Sequence, residues 1–332
     1  MIWPAGKKLH QGKYIILGEP LGQGGFGITY KAEHVELKEI VVIKTPIDYR
    51  QIELLEEEQY WEYVEHFVKE GKKLAKLSQK AHPNIVRVRD VFQEGTIPCL
   101  VMDFVPGKNL FKLVKERGRL PKTIAVGCIR QIGDALATMH EMGLVHRDAH
   151  PGNIILRDDG RAILIDFGIA KELFPSTQTI TGKAGHEIFA PYEQLSGKGS
   201  RKPNVDVYCL AATLYYTVTG KCPIASRDRK LGDVPLPPPQ QLVPSISQHL
   251  SRAIMKGMAL EEKNRPQSMQ QWLHEIELIA NTPKQVSRRI QMNSSVLKKC
   301  KNNTNYCATS VAATFTKIST DTKAFVRLLT QN

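Results

Sequence analysis

His146-Arg147-Asp148-Ala149-His150-Pro151-Gly152-Asn153, followed after a short gap by Asp166-Phe167-Gly168, is the stretch on which the reading of this 332-residue chain turns. Between the two segments, Ile154–Leu156 and Ala162–Ile165 flank Asp158-Asp159-Gly160 and read as a hairpin. Either aspartate taken alone is an ordinary turn former. Outward from this stretch the pattern is helical from about residue 107. Ile124, Cys128, Ile132, Leu136 and Met139 make one apolar stripe, and Gly143 is placed to stop that helix. Val205–Thr219 is apolar nearly all round, as a helix inside a lobe is, and Gly220 ends it. Met269, Trp272, Leu273 and Ile276 mark a last helix before Asn281-Thr282-Pro283.

Toward the N-terminus the period changes. Tyr14–Leu17, Gly27–Lys31 and Ile40–Lys44 read as strands, then Tyr60, Val64, Phe67, Leu74 and Leu77 recur at near-helical spacing. Ile85–Phe92 and Cys99–Phe104 are two further strand-like runs. Leu21-Gly22-Gln23-Gly24-Gly25-Phe26-Gly27-Ile28-Thr29 contains G-x-G-x-x-G. A dinucleotide fingerprint requires a helix after the last glycine, whereas Ile-Thr-Tyr-Lys reads as strand. A strand–loop–strand of this kind lies over a polyphosphate with bare backbone N–H groups. Lys44 ends Val41-Val42-Ile43-Lys44. It is either a snorkelling surface lysine or, after such a loop, a partner for phosphates. Glu70 is the carboxylate whose helical register best suits holding Lys44, although Glu56, Glu57, Glu58, Glu62 and Glu65 are near it.

The ordered set GxGxxG, VVIK, HRDxxxxN and DFG resembles the protein kinase family over residues 14–279, and within it the bacterial eukaryotic-like Ser/Thr kinases. The resemblance implies an α+β bilobal fold. A small, mainly β N-lobe with one helix (14–102) leads through a hinge (103–107) to a larger helical C-lobe (108–279). Residues 1–13 are then a lead and 280–332 a basic tail. It implies that residues Leu21 to Thr29 cover the phosphates of ATP and that Lys44, held by Glu70, neutralises them. Asp148 takes the proton of the attacking hydroxyl. Asn153 and Asp166 hold Mg²⁺, or Mn²⁺ in its place. Phe167 packs beneath the Glu70 helix and Gly168 follows it. Met102 closes the back of the adenine pocket, and backbone groups of Asp103 and Val105 read the adenine edge. Ala190-Pro191-Tyr192-Glu193 resembles the Ala-Pro-Glu segment with one residue inserted. Glu193 is then expected to pair with Arg265, and Asp206 to steady the catalytic loop. Arg147 is expected to bind a phosphate on Thr177, Thr179 or Thr181, with Thr181 first.

Two substitutions depart from the family pattern. His150 stands where Ser/Thr-selective members carry Lys, and His186 where many carry Thr. Imidazole supplies a hydrogen bond in place of a permanent charge. They keep two rivals open: a pseudokinase scaffold, or a small-molecule phosphotransferase of related fold. The expected reaction is phosphoryl transfer from ATP to Ser/Thr of protein substrates, autophosphorylation included. The N-terminus has no apolar signal core, and no apolar run reaches membrane-spanning length. Six cysteines without a C-x-x-C pair point to reduced thiols in the cytoplasm. The net charge is +13, and residues 281–332 hold nine Lys/Arg against the single acid Asp321. Few aromatics accompany these charges, so nucleic acid is not expected as a partner. The tail is read as a solvated segment open to a protein partner.

Overall fold

A computed structural model of the chain describes residues 2–23, 27–47, 57–79, 82–166, 187–196 and 202–277. In its first part, alternating side chains become strands with one buried face. Strand β4 (Gly27–His34) buries every second residue and pairs antiparallel along its length with β5 (Glu39–Pro46). Gly27 sits so close to β5 that a Cβ there would lie 2.9 Å from the Thr45 carbonyl oxygen. The sheet runs β1 (Lys8–Leu9), β2 (Tyr14–Ile16), β4, β5, β7 (Ile97–Asp103), β6 (Val88–Glu94), with β3 (Gly22–Gln23) added to β4. Helix α1 (Glu57–Gln79) packs on β6 and β7 through Tyr63, Phe67, Leu74 and Leu77, all buried.

The first residues are part of this sheet, not a lead to it. Trp3 is buried and stacks on Tyr30 with ring centroids 5.2 Å apart, and Leu9 is buried in β1. Lys13 pairs with Asp90 at 2.7 Å, and Tyr14 stacks on Phe92. Local propensity in Lys8–Leu9 is weak; pairing with β2 is what makes it a strand.

The second part is helical. Helix α2 (Leu110–Arg117) is capped by the Asn109 side chain, which accepts from the Lys112 N–H. Helix α3 (Lys122–Glu141) packs against α5 (Asn204–Thr219) and α9 (Met269–Glu277), whereas α4 (Tyr192–Leu195) is a single turn. Every residue of α5 is buried, and Gly220 caps it in the left-handed conformation at φ 73°. Helices α6 (Ser226–Leu231), α7 (Pro239–Leu242) and α8 (Gln248–Gly257) complete the lobe; α6 and α7 are too short to show an apolar stripe, whereas α8 buries Leu250, Ala253 and Ile254 at helical spacing.

Two seams join the lobes. The hinge runs from Asp103 to Gly107, where φ is +134° and a Cβ would lie 2.8 Å from the Leu156 carbonyl oxygen. The second seam is the segment Asn84–Val86. Its Val86 N–H donates to the Leu164 carbonyl and its Asn84 carbonyl accepts from the Leu164 N–H. Ile85 therefore leaves the sheet it was expected to join, and β6 begins only at Val88. A three-stranded sheet, β8 (Lys108–Asn109), β9 (Ile154–Leu156) and β10 (Ala162–Leu164), lies at this seam. Among the described residues no helix is long and apolar enough to cross a membrane. Cys99, Cys128 and Cys209 are buried cysteines outside any disulfide, and burial pushes Cys99 and Cys128 up to about 12.

Candidate active site

The hairpin β9–β10 brings the two ends of the quoted stretch together. Register pairs Ile154 with Leu164, and the Ile165 N–H donates to the Asn153 carbonyl at 2.9 Å. Asn153 and Asp166 thereby line one cavity of about 290 Å³ with Lys44, Met102 and the hinge residues Asp103 and Val105. Leu21, Gly22 and Thr29 form its roof. Gly24, Gly25, Phe26, Phe167, Gly168, Thr177, Thr179, Thr181 and His186 lie outside the described residues. Gln23 pairs with Ile28 across the base of the glycine loop.

The loop 146–153 is held from below by buried groups. Asp206, wholly buried at the start of α5, accepts from the His146 N–H at 2.8 Å, the Arg147 N–H at 2.6 Å and the His140 ring at 2.8 Å. Burial works against its charge; the His140 hydrogen bond and the surrounding donors outweigh it and hold the carboxyl below its ordinary range. These bonds fix Arg147 at φ 62°, a strained conformation for a side-chain-bearing residue. Its carbonyl accepts from Gln194 and the Ala149 carbonyl from Thr213, each at 3.0 Å.

The arrangement aims Asp148. The Asn153 amide donates to both the Asp148 carbonyl and its Oδ2, each at 3.0 Å. His150 is buried against Phe189, and its Nδ1 accepts from the Gly152 N–H at 3.0 Å. An accepting Nδ1 in the neutral ring places the proton on Nε2, which lies 3.5 Å from Asp148 Oδ1. Arg265, its side chain fully buried, forms a bidentate pair with Glu193 at 2.6 and 2.8 Å. It also donates to the Ala259 and Leu260 carbonyls.

The expected Lys44–Glu70 pair is absent from this arrangement. Lys44 Nζ hydrogen-bonds to Asp166, and Glu70 pairs with Lys73. Lys73 lies three residues on along the same helix face, so it reaches Glu70 with little loss of side-chain freedom. Tyr63 was not foreseen. It is buried seven residues before Glu70, and burial, followed by the neighbouring Asp166 charge, pushes its phenol far above the ordinary value. Its period, shared with Phe67 and Glu70, was the signal available in the sequence.

The protein kinase domain model matches residues 15–277. The chain belongs to the protein kinase family. Among curated proteins, the chain is 32% identical over 291 residues to a probable serine/threonine-protein kinase of Clostridium perfringens, covering 83% of this chain and 39% of that protein. It is 36% identical over 220 residues to the serine/threonine-protein kinase PkaA of Streptomyces coelicolor, covering 64% and 40%. It is 33% identical over 216 residues to PknA of Mycobacterium tuberculosis, covering 61% and 49%. The chain thus spans less than half the length of these relatives. Among solved structures, the kinase fold is shared with Rad53 crystallised with AMP-PNP, at a TM-score of 0.64 and 22% identity, over 81% of this chain and 66% of that one.

Proposed function

We propose that the chain is an ATP-dependent serine/threonine protein kinase, acting on protein substrates and on itself in cytoplasmic signalling. The observation that carries this reading is the convergence of Lys44, Asn153 and Asp166 on one cavity, with Asp148 one hydrogen bond away through Asn153. ATP lies with its adenine against Met102, Asp103 and Val105 and its phosphates under the glycine loop. The Asp103 N–H is occupied by the Arg87 carbonyl at 3.0 Å, so its carbonyl is the group that meets the base.

The donor set fits Mg²⁺, or Mn²⁺. Asp166 and Asn153 offer hard oxygens, and the Asn153 amide nitrogen is turned to Asp148, leaving its oxygen for a cation. Among the described residues no cluster of three ligating side chains competes for a softer metal. Bound there with the nucleotide, the ion neutralises charge on the β- and γ-phosphates. This chain's own residues do the rest. Lys44 exchanges Asp166 for phosphate oxygens, with Glu70 as the carboxylate that then steadies it. Asp148 takes the hydroxyl proton onto a carboxylate oxygen. His150 donates its Nε2–H toward that carboxylate or the transferred group. Glu193 and Arg265 brace the surface on which a peptide docks. A phosphate on Thr181, or on Thr177 or Thr179, meets Arg147. The segment 280–332 binds a partner.

Incubation with labelled ATP, Mg²⁺ and a generic Ser/Thr-rich protein tests the reading. Label is expected in that protein and in the kinase, as phosphoserine or phosphothreonine. Nucleotide binding with no transfer overturns it in favour of a binding module. Transfer only to small hydroxyl compounds overturns it in favour of a metabolite kinase.

A further inference from the structure

The hinge has a second face. Behind it lies a cavity of about 370 Å³, larger than the nucleotide cavity. Val86, Asp103, Phe104 and Val105 line both, so one short segment is the wall between them. Four arginines line the rear cavity: Arg87 and Arg89 at the start of β6, Arg157 and Arg161 on the β9–β10 hairpin. Asp103 is the one carboxylate in its wall. Ile40, Leu77 and Ile85 line the same cavity.

The arginines are incompletely neutralised. Arg89 bonds to Glu39 and to Asp103. Arg157 and Arg161 share Asp159, at 3.5 and 2.8 Å. Arg87 has no ion pair among the described residues. Planar guanidinium forks beside an apolar floor suit carboxylates or phosphates next to an apolar side chain. A free anion would leave that floor uncovered, whereas an extended peptide spans both.

The rear wall is also tied to the hinge. The Arg87 carbonyl accepts the Asp103 N–H at 3.0 Å, and Arg89 clasps the Asp103 carboxylate to Glu39 on β5. An incoming carboxylate competes with Asp103 and Glu39 for Arg89.

We propose that this cavity docks an acidic peptide segment of a protein partner, and that its occupation loosens Asp103 and weakens nucleotide binding across the hinge. The coupling rests on the nucleotide reading of the front cavity; the docking does not. By linkage, nucleotide weakens the peptide by the same factor.

The test uses the full chain and a fluorescein-labelled peptide of alternating Glu and Leu, followed by anisotropy at physiological salt. Saturable binding is expected, weaker by about tenfold in R87E and in R157E/R161E. The milder R157Q/R161Q serves if charge reversal impairs folding. Binding is expected to be unchanged in K298E/K299E, within the basic C-terminal stretch. Equal binding of a Gln/Leu peptide, insensitivity to the arginine variants, or loss confined to K298E/K299E overturns the docking site. Titration with a fluorescent ATP analogue, with and without saturating peptide, is expected to show at least a threefold loss of affinity; an unchanged value overturns the coupling. No analogue binding without peptide is a failure of the nucleotide reading alone.

Discussion

The catalytic loop and the lysine wall of the same cleft are built on opposite plans. Around residues 146–153, the loop's own hydrogen bonds are braced by buried partners distant in sequence. Asp206 is wholly buried, Thr213 wholly buried and Gln194 nearly so. Across the cleft, the Lys44 side chain is 17% exposed and hydrogen-bonds to Asp166, while Glu70 holds a surface lysine. A buried charge deprived of its partner is costly, so the first region has one arrangement. The second region is held by pairs that each have one member more than a third exposed, Asp166 at 36% and Lys73 at 45%, and such pairs exchange partners at less cost. On the proposed function, the cleft sets a fixed acceptor for the hydroxyl proton against a phosphate-binding wall that can rearrange.

Breaking the fixed side carries the largest expected effect. Arg265→Ala leaves Glu193 and two backbone carbonyls without their buried donor, at a cost of about 3–5 kcal/mol. Thermal unfolding should show a fall of roughly 10 °C. A melting temperature near wild type would mean the C-lobe is not pinned as described. Next, Asp148→Asn should leave the melting temperature unchanged and lower kcat by about 10²–10⁴-fold, with nucleotide affinity retained. Wild-type turnover in this variant would remove Asp148 from the proton transfer.

The exchangeable side should respond in the other direction. Lys73→Ala releases Glu70 from a helix-surface pair worth about 0.3–0.5 kcal/mol. Glu70 then becomes available to Lys44, and kcat/KM should rise about twofold. Glu70→Gln should lower kcat/KM and abolish the Lys73→Ala gain. An equal gain in the Glu70→Gln background would show that Lys73 acts through something other than Glu70.

The same contrast governs what the sequence made legible. Asp148, Asn153 and Asp166 were readable through the resemblance of their motifs to the kinase family, and the hairpin β9–β10 between Asn153 and Asp166 has the expected ends within one residue. The strands read over 27–31 and 40–44 were visible in their β-branched and aromatic content and extend to 27–34 and 39–46, and α5 was visible in its unbroken apolar run. The observed partner of Lys44 was not visible: helical register on α1 singled out Glu70, whereas the contact with Asp166 depends on packing between elements far apart in the chain. Tyr63 near Asp166 and the arginines behind the hinge depend on packing between elements far apart in the chain. Trp3 and Leu9 were hidden for a simpler reason. A two-residue strand has no period, and only docking against Tyr30 and β2 gives it a place.

That docked N-terminus offers the smallest and most finely resolved test, on an exchangeable pair that is partly covered. Lys13 and Asp90 lie 2.7 Å apart with side chains 36% and 28% exposed, and the Tyr14 hydroxyl donates to the same Asp90 oxygen at 3.1 Å. Burial opposes the Asp90 charge, but the Lys13 hydrogen bond and charge outweigh it and lower its pKa from 3.8. The Asp90 hydrogen bond raises Lys13 above 10.5. A depressed carboxylate pKa contributes stability that is present above the unfolded value and lost as pH falls through the folded one. A raised lysine pKa contributes stability that is present below the unfolded value and lost as pH rises through the folded one. Between these limits both partners stay charged in the folded and unfolded chain. Asp90→Asn should therefore cost about 0.5–1 kcal/mol in urea unfolding, constant between roughly pH 5 and pH 9. The cost should shrink in 1 M salt, where the Debye length is about 3 Å. A cost that is constant with salt would assign it to the Tyr14 hydroxyl–Asp90 hydrogen bond instead of the ion pair.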